Sequence, residues 1–242
     1  MPTLIGNLIR GLPRIEEGDL LAPMIESCGD LQDGDVLCVA STIVAKSEGR
    51  SRNLDLYRPS QKAVAIAERL GKDPRFVQAV LDESEEVLIT DPFLLVATRF
   101  GHICVNAGID QSNVDRGEIL LLPEDPERSA ERLRAGLSSD CAVIITDTCG
   151  RPFRCGVAGL AIGWAGIAAL RDWRGEVDLF GKVLEITLES IVDEIAGFAN
   201  MMMGEGGDGN PAVILRGLSY PRSGGRLFMP VEKDVIRRRL LG

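Results

Sequence analysis

Residues 188–216 read L-E-S-I-V-D-E-I-A-G-F-A-N-M-M-M-G-E-G-G-D-G-N-P-A-V-I-L-R. Apolar residues recur at helical spacing from Leu188 to Met202, which predicts a long helix. The glycine-rich loop Met203–Gly209 follows this helix, and Ala212–Arg216 predicts a strand. Gly204–Gly209 spells G-x-G-x-x-G, but a dinucleotide-binding loop of that pattern needs a strand before it and a helix after it. The order here is the reverse, which argues against a Rossmann fold.

The other predicted elements do not alternate steadily between strand and helix. Ser60 is a helix N-cap signal and Gly71 a stop signal, so a helix should cover Ser60–Leu70. Further strands are predicted at Asp35–Ala40, Phe93–Arg99, His102–Asn106 and Cys141–Thr146, and further helices from Pro74, at Pro126–Ala135 and at Glu232–Leu241. This irregular order favours an α+β fold over a doubly wound sheet. We predict one domain over residues 1–242, with a mixed sheet in two interlocked subdomains.

The composition is that of an ordinary globular enzyme, with 45% hydrophobic and 26% charged residues. A net charge of −9 disfavours nucleic-acid binding, which normally requires a basic face. The six cysteines form no C-x-x-C pair, which favours free thiols in a reducing cytosol. The N-terminus lacks a signal-peptide pattern, and the uncharged stretch Cys155–Leu170 is shorter than the roughly 20 residues of a membrane-spanning helix. We expect a cytoplasmic protein in which this stretch is core, closely packed at Gly156, Gly159, Gly163 and Gly166.

Three acidic segments beside glycines follow apolar stretches, at Val105–Asn113, Ile144–Arg151 and Met203–Gly209. We expect each to lie where a strand or helix ends and the backbone turns. Their oxygen-bearing side chains are Asp110, Asp147, Thr148 and Glu205. Carboxylate and hydroxyl oxygens suit Mg²⁺ or Mn²⁺ bridging the phosphates of a nucleotide. The three segments together therefore predict a metal site.

Each segment also has a simpler interpretation. Asp110 and Asn113 are residues that form Asx-turns or helix N-caps. Asp147 and Thr148 follow an apolar strand, as active-site residues of mixed α/β proteins often do. The loop after Met203 contains four glycines where a helix C-cap needs one, which favours a ligand-binding loop.

Several other side chains are weaker candidates. Lys46 could contact a phosphate as a point charge, although a solvated lysine is the commoner case. Arg151 and Arg154 could bind anionic substrate groups or could form surface salt bridges. His102, the single histidine, is expected to be structural. Cys149 is expected not to act as a nucleophile, because no histidine is near it in sequence.

Several motifs in one order make the chain resemble the F420 γ-glutamyl ligase family, the coenzyme F420-0:L-glutamate ligases of deazaflavin cofactor biosynthesis. The motifs cover nearly the whole length: G-L-P-R-I-E-E-G-D, A-S-T-I-V-A-K-S-E-G-R, F-V-Q-A-V-L-D-E-S, V-N-A-G-I-D-Q-S-N, I-I-T-D-T-C-G-R-P-F-R, D-W-R-G-E-V-D-L-F-G and M-G-E-G-G-D-G-N-P-A-V. Some bacterial members carry a second, nitroreductase-like domain. The chain ends at residue 242 and looks like the stand-alone form.

The resemblance implies GTP as energy donor, two divalent ions (Mg²⁺ or Mn²⁺), a monovalent cation such as K⁺, and a homodimer of mixed α+β fold. It implies that Asp110 and Asp147 hold one divalent ion, and that Thr148 and Glu205 hold the other. The implied GTP contacts are Leu12, Pro13, Arg14, Ile15, Ser41, Thr42, Lys46, Asn113, Met203, Gly204, Glu205, Gly206, Gly207, Asp208, Gly209 and Asn210.

The activity implied by the resemblance is the GTP-dependent addition of L-glutamate, once or repeatedly, to F420-0 through an acyl phosphate. A metal-dependent phosphohydrolase would use the same carboxylates on water, and a nucleotide sensor would bind GTP without chemistry.

Overall fold

The computed structural model describes residues 3–112, 114–207 and 209–241. Its strands are β1 Ile5–Leu8, β2 Val36–Ala40, β3 Ser51–Asn53, β4 Ser84–Ile89, β5 Leu95–Thr98, β6 Ile103–Val105, β7 Glu118–Leu120, β8 Ala142–Gly150, β9 Val157–Ala165, β10 Arg171–Asp172, β11 Leu188–Glu189 and β12 Ala212–Arg216. Its α-helices are α1 Leu21–Cys28, α2 Ser41–Ser47, α3 Gln61–Leu70, α4 Pro74–Asp82, α5 Pro126–Ala135, α6 Ile191–Met203 and α7 Val235–Leu240. Short 3₁₀ turns cover Leu54–Leu56 and Asn106–Gly108.

A five-stranded mixed sheet in the order β1-β12-β2-β8-β9 forms the centre of the molecule. β2 and β8 are parallel neighbours, whereas the other pairs in this sheet are antiparallel. Side chains alternate between the two faces of each strand. In β2, Leu37 and Val39 pack towards α1, α2 and α5, whereas Val36 and Cys38 pack towards α6. The inner strands β2, β8 and β12 are thus buried on both faces over most of their length, which explains their continuous apolar runs.

Residues 54–121, which lie between β2 and β8 in the sequence, build a second hydrophobic core. The helices α3 and α4 pack with the antiparallel sheet β4-β5-β6 around residues such as Ile66, Phe76 and Val96. β3 and β7 form a separate two-stranded sheet. Because this second unit is inserted between two neighbouring strands of the central sheet, the two cores are interlocked. The predicted α+β class with mixed sheets is confirmed.

The local signals read from the sequence place several helix ends correctly. Ser60 Oγ accepts the backbone N–H of Ala63 at 3.2 Å, and Gly71 ends α3 with φ 63°. Asp73 caps α4 through the N–H of Arg75 at 2.8 Å. The predicted hairpin about residues 100–101 is present as β5 and β6, shorter than predicted at both ends.

Three further predicted boundaries are wrong by three or four residues. β8 was predicted to end at Thr146, but it continues to Gly150 because β9 pairs with it along its whole length. The long helix begins at Ile191, since Leu188 pairs with Asp172 in a short ladder. The terminal helix begins at Val235, where Asp234 supplies the cap.

Glycines bring β9 close to two helices. A Cβ on Gly159 would lie 2.5 Å from Cβ of Asn200 in α6, and one on Gly163 would lie 2.2 Å from the carbonyl oxygen of Pro126 in α5. A Cβ on Gly166 would meet Nε of Arg134 at 2.4 Å. The prediction of close packing holds at these three positions and is wrong for Gly156, which has no neighbour within 4 Å of that point.

The cysteines are free, and Cys38, Cys104 and Cys141 are buried in or beside strands as predicted. His102 is buried, and burial lowers the pKa of its imidazole to about 4, so the ring is neutral at physiological pH. No helix in the described part of the chain has the length and apolar character needed to cross a membrane.

Candidate active site

A cavity of about 640 Å³ opens where the parallel pairing of β2 with β8 ends, at Ala40 and Thr146, and where α6 runs into the glycine loop. Ligand sites commonly lie beyond the carboxyl ends of parallel strands. The cavity is lined by every predicted site residue that the structure describes: Leu12, Pro13, Arg14, Ile15, Ser41, Thr42, Lys46, Asp110, Asp147, Thr148, Met203, Gly204, Glu205, Gly206, Gly207, Gly209 and Asn210. Asn113 and Asp208 lie outside the described residues.

Asp147 and Thr148 lie within β8, not in a turn after it as predicted. As consecutive strand residues they face opposite sides of the sheet. Asp147 shares its face with Val143 and Ile145, which pack towards α2. Thr148 faces α6. One strand thus presents an oxygen-bearing side chain on each of its two faces.

The carboxylate of Asp147 is fixed by its neighbours. Ser41, the first residue of α2, donates its hydroxyl to Oδ1 of Asp147 at 2.9 Å. Burial is the main cause that raises the pKa of Asp147 to about 6, and the negative charges of Asp110 and Glu205 add to it. Hydrogen bonds from Ser41 and from the backbone of Thr148 act in the opposite direction. The site therefore concentrates negative charge that a cation would neutralise.

Asp110 is held in place by a left-handed turn. Asn106, Ala107 and Gly108 all have positive φ, and the backbone of Asp110 then pairs with Leu120 through two hydrogen bonds of 3.0 and 2.9 Å. Its carboxylate accepts the N–H of Ser112 at 2.7 Å and the hydroxyl of Ser112 at 2.6 Å. Asp110 therefore forms the Asx-turn considered from the sequence and also lines the cavity.

On the other face of β8, Thr148 and Glu205 meet through Asn200. The hydroxyl of Thr148 lies 3.1 Å from Oε1 of Glu205 and 3.3 Å from Oδ1 of Asn200. Asn200 donates its amide N–H to the same Oε1 at 2.9 Å. The missing Cβ of Gly159 provides the room for Asn200 in this position. Asn200 was not among the predicted residues, although a polar residue on the last turn of an apolar helix before a ligand loop was a usable signal.

The donor set fits hard divalent ions. Carboxylate and hydroxyl oxygens are the ligands of Mg²⁺ and Mn²⁺. Among the described residues no group of three or more His, Cys, Asp or Glu side chains is arranged to hold a metal. Thr148 and Glu205 instead meet on one side of β8, and Asp147 lies on the other side, near enough to Asp110 for the charge of Asp110 to raise its pKa. Mg²⁺ is commonly held by one or two carboxylates together with substrate phosphates, which matches this arrangement.

The glycine loop has two kinds of glycine. Gly204 and Gly209 have φ of 74° and 67°, a conformation that other residues adopt only with strain. Gly206 and Gly207 do not share it, and a Cβ on either would meet no atom within 4 Å. Neither backbone conformation nor contacts within the protein require glycine at positions 206 and 207, whereas close approach of a ligand would.

Helix α2 and the segment before α1 form the opposite wall of the cavity. Thr42 and Lys46 are half-buried on α2, which starts directly after β2. Arg14 is exposed and lies 3.5 Å from Asp115. A chain with a net charge of −9 thus brings Lys46 and Arg14 to one acidic cavity.

Cys149 is expected not to act as a nucleophile, and Cys149→Ser is expected to keep most of the activity. The thiol is buried, and burial together with the charge of Asp147 raises its pKa, so that it stays protonated. The measurement is kcat/KM of the purified variant beside its melting temperature. A loss of about 10³-fold or more in a folded variant would contradict this expectation.

Comparison with known proteins gives one consistent result. Residues 11–217 match the family described as F420-0:gamma-glutamyl ligase. The chain is 55% identical over 240 residues to a protein of Natronomonas pharaonis named coenzyme F420:L-glutamate ligase, and the alignment covers 96% of this chain and 94% of the relative. Proteins of the same name from Archaeoglobus fulgidus and Methanosarcina mazei are 54% and 48% identical, and each alignment covers at least 94% of both chains. The chain therefore belongs to the F420-0:gamma-glutamyl ligase family.

Proposed function

We propose that this protein is a GTP-dependent ligase that forms an amide between L-glutamate and the deazaflavin precursor F420-0. The relatives' shared name, coenzyme F420:L-glutamate ligase, supports the substrates. The observation that carries the proposal is the cavity itself. Asp110, Asp147, Thr148 and Glu205 line it together; Asp147 and Thr148 are consecutive residues on opposite faces of β8, and the Thr148 hydroxyl lies 3.1 Å from the Glu205 carboxylate.

The proposed reaction begins with activation, because a carboxylate is a poor electrophile. The terminal carboxylate of F420-0 attacks the γ-phosphoryl group of GTP, which gives an acyl phosphate and GDP. The amine of L-glutamate then attacks the acyl carbon and phosphate leaves. Divalent ions, when bound, would neutralise the phosphate oxygens and favour in-line attack. One or more further γ-linked glutamates could be added in the same way.

The chain's own residues have separate roles in this proposal. Asp147, held by Ser41, and Asp110 hold one divalent ion, and Thr148 and Glu205 hold the other. Lys46 contacts a phosphate as a point charge, and the glycine loop approaches the phosphates closely. Leu12, Pro13, Arg14 and Ile15, with Ser41, Thr42 and Asn210, complete the GTP contacts. A monovalent cation such as K⁺ is part of the proposal without an assigned residue.

Mass spectrometry of the deazaflavin product tests the proposal. Incubation with F420-0, L-glutamate, GTP and Mn²⁺ should add the mass of one or more glutamate residues and form GDP. Multiple-turnover formation of GDP should cease when F420-0 or glutamate is omitted. Phosphate release without F420-0 would indicate a phosphohydrolase, and GTP binding without turnover a sensor. Either result would overturn the ligase.

Gly207→Val is expected to raise the apparent KM for GTP at least tenfold, with little change in the stability of the nucleotide-free protein. The loop is exposed and open around Gly207, so the valine side chain meets no protein atom and interferes only with a bound ligand. Kinetics and thermal denaturation measure the two quantities. Limited proteolysis should also show slower cleavage at residues 203–210 after GTP and Mn²⁺ are added. An unchanged KM for GTP, with equal cleavage in the presence and absence of GTP and Mn²⁺, would show that residues 203–210 are an ordinary turn without a role in GTP binding.

A homodimer is part of the proposal, and residues 171–189 favour it. β10 and β11 form the base of this hairpin-like arm, which is also held by a Val177–Val183 bridge. Leu179, Phe180 and Ile186 on it are 87% exposed or more. Exposed apolar groups of this size commonly mark a protein interface. Sedimentation equilibrium should give twice the mass of the chain, and a monomer would contradict this part of the proposal.

A further inference from the structure

The turn Arg151–Arg154 lies at the cavity end of β8. The strand carries Asp147 and Thr148 to the cavity and continues to Gly150, about 10 Å further along at roughly 3.3 Å per residue. β9 begins at Val157, so residues 151–156 join the two strands beyond the proposed metal ligands. A substrate that reacts at Asp147 and extends along β8 reaches this turn.

Phe153 occupies a position in this turn where glycine is normally favoured. The N–H of Arg154 points to the carbonyl of Arg151 at 3.4 Å, Pro152 is the second residue and Phe153 the third, with φ 63°. This is the pattern of a type II turn, which calls for glycine at the third residue. The Phe153 side chain is 100% exposed. The positive φ of Phe153 and the exposure of its ring both lower the stability of the fold. A fully exposed ring contributes no packing that would compensate.

The two arginines beside Phe153 lack partners within the described ranges of the chain. Arg151 is partly buried, and its Nε is shielded from solvent yet makes no hydrogen bond to a described residue. Neither guanidinium forms an ion pair with a described residue, so the surface salt bridges considered from the sequence are absent there. In a protein with a net charge of −9, two unpaired cations next to an exposed aromatic ring suit an aromatic anion.

We propose that this turn binds the aromatic acceptor, with Phe153 stacking on its deazaflavin ring and the guanidiniums of Arg151 and Arg154 binding its anionic tail. The inference rests on the proposed function, in which GTP takes the wall formed by residues 12–15, helix α2 and the glycine loop. GTP, like F420-0, combines a flat heterocycle with an anionic tail. The test therefore measures the two substrates separately.

Phe153→Gly is the decisive variant, because it removes the ring and places the residue that the backbone favours. We expect its KM for F420-0 to rise about tenfold, equivalent to ~1.4 kcal/mol, with kcat and the KM for GTP within a factor of about two of the wild type. Its melting temperature should equal or exceed that of the wild type. Phe153→Trp should keep the wild-type KM. Leu56→Ala, which removes another exposed apolar side chain that does not line the cavity, should change neither KM.

Direct binding separates this inference from the ligase proposal. Fluorescence polarisation of F420-0 with the full chain, without GTP or glutamate, should show about tenfold weaker binding to Phe153→Gly and to Arg151→Gln than to the wild type. If the wild type binds F420-0, the variants bind it about tenfold more weakly and no amide forms, the ligase proposal is overturned and the binding-site proposal is supported. Equal F420-0 binding by all the variants, or a rise in the KM for GTP alone, would overturn the binding site.

Discussion

Asp147→Asn is expected to reduce turnover by about 10³-fold or more and, at the same time, to stabilise the metal-free protein at pH 8. The first effect follows from charge. Each bound divalent ion contributes several kcal/mol of transition-state stabilisation, and each ~1.4 kcal/mol is a factor of ten in rate. Asparagine keeps the shape and the oxygen that accepts from Ser41, at 2.9 Å in the wild type, but loses the negative charge.

The second effect follows from the raised pKa of Asp147. Burial raises this pKa to about 6, whereas an aspartate in the unfolded chain titrates near 3.9. Between these two values the folded state binds more protons than the unfolded state, so the free energy of unfolding falls as pH rises. The cost reaches at most about 3 kcal/mol above pH 6. The asparagine side chain of the variant avoids this cost, whereas below pH 4 the wild-type carboxyl is protonated and has no such cost.

Thermal denaturation at pH 8 and pH 4, with and without Mn²⁺, measures this prediction. The variant should melt several degrees above the wild type at pH 8 without metal, since ~1 kcal/mol moves the midpoint by roughly 2–4 °C in a chain of this size. The difference should vanish at pH 4. Mn²⁺ should raise the melting temperature of the wild type and have a smaller effect on the variant. Glu85→Gln, an exposed carboxylate away from the cavity, is the control. Wild-type turnover in Asp147→Asn would remove Asp147 from the site.

Local signals explain why much of the secondary structure could be predicted. The caps at Ser60 and Asp73 and the left-handed Gly71 are decided within a few residues of sequence. The reversed order of helix and strand around the glycine loop was also local, and it was enough to exclude the dinucleotide fold. The α+β class followed from these elements and their irregular order.

The errors arose where distant chain segments decide the structure. Thr146 looked like the end of a strand because polar residues follow it, but pairing with β9 extends the ladder to Gly150. Because consecutive residues of a strand face opposite sides, the longer strand places Asp147 and Thr148 on opposite faces. Residues in a turn do not alternate in this way. Asn200 was missed although its place on the last turn of α6 was a local signal. Its role depends on Gly159, which lies in another element and gives α6 room to approach β9.

The second large effect is expected at Glu205, on the opposite face of β8. Glu205→Gln should lower kcat by about 10²-fold or more and raise the Mn²⁺ concentration needed for half-maximal activity, because it removes the only carboxylate proposed for the second ion. Its side-chain oxygen can still accept from Thr148 and Asn200, at 3.1 and 2.9 Å in the wild type. Since Glu205 is exposed, the metal-free stability should change by less than about 0.5 kcal/mol.

Asn200→Ala separates the charge of Glu205 from its position. This variant leaves the carboxylate in place and removes one of its two hydrogen-bond partners, so we expect a loss of about 10-fold to 100-fold in Mn²⁺ affinity. Mn²⁺ titration of activity and of the melting temperature should rank the proteins as wild type, Asn200→Ala and Glu205→Gln, in order of decreasing affinity. Glu68→Gln on the exposed face of α3 should match the wild type. A Glu205→Gln variant with normal kcat and normal Mn²⁺ requirement would leave the second ion without a carboxylate and limit the proposed metal site to Asp110 and Asp147.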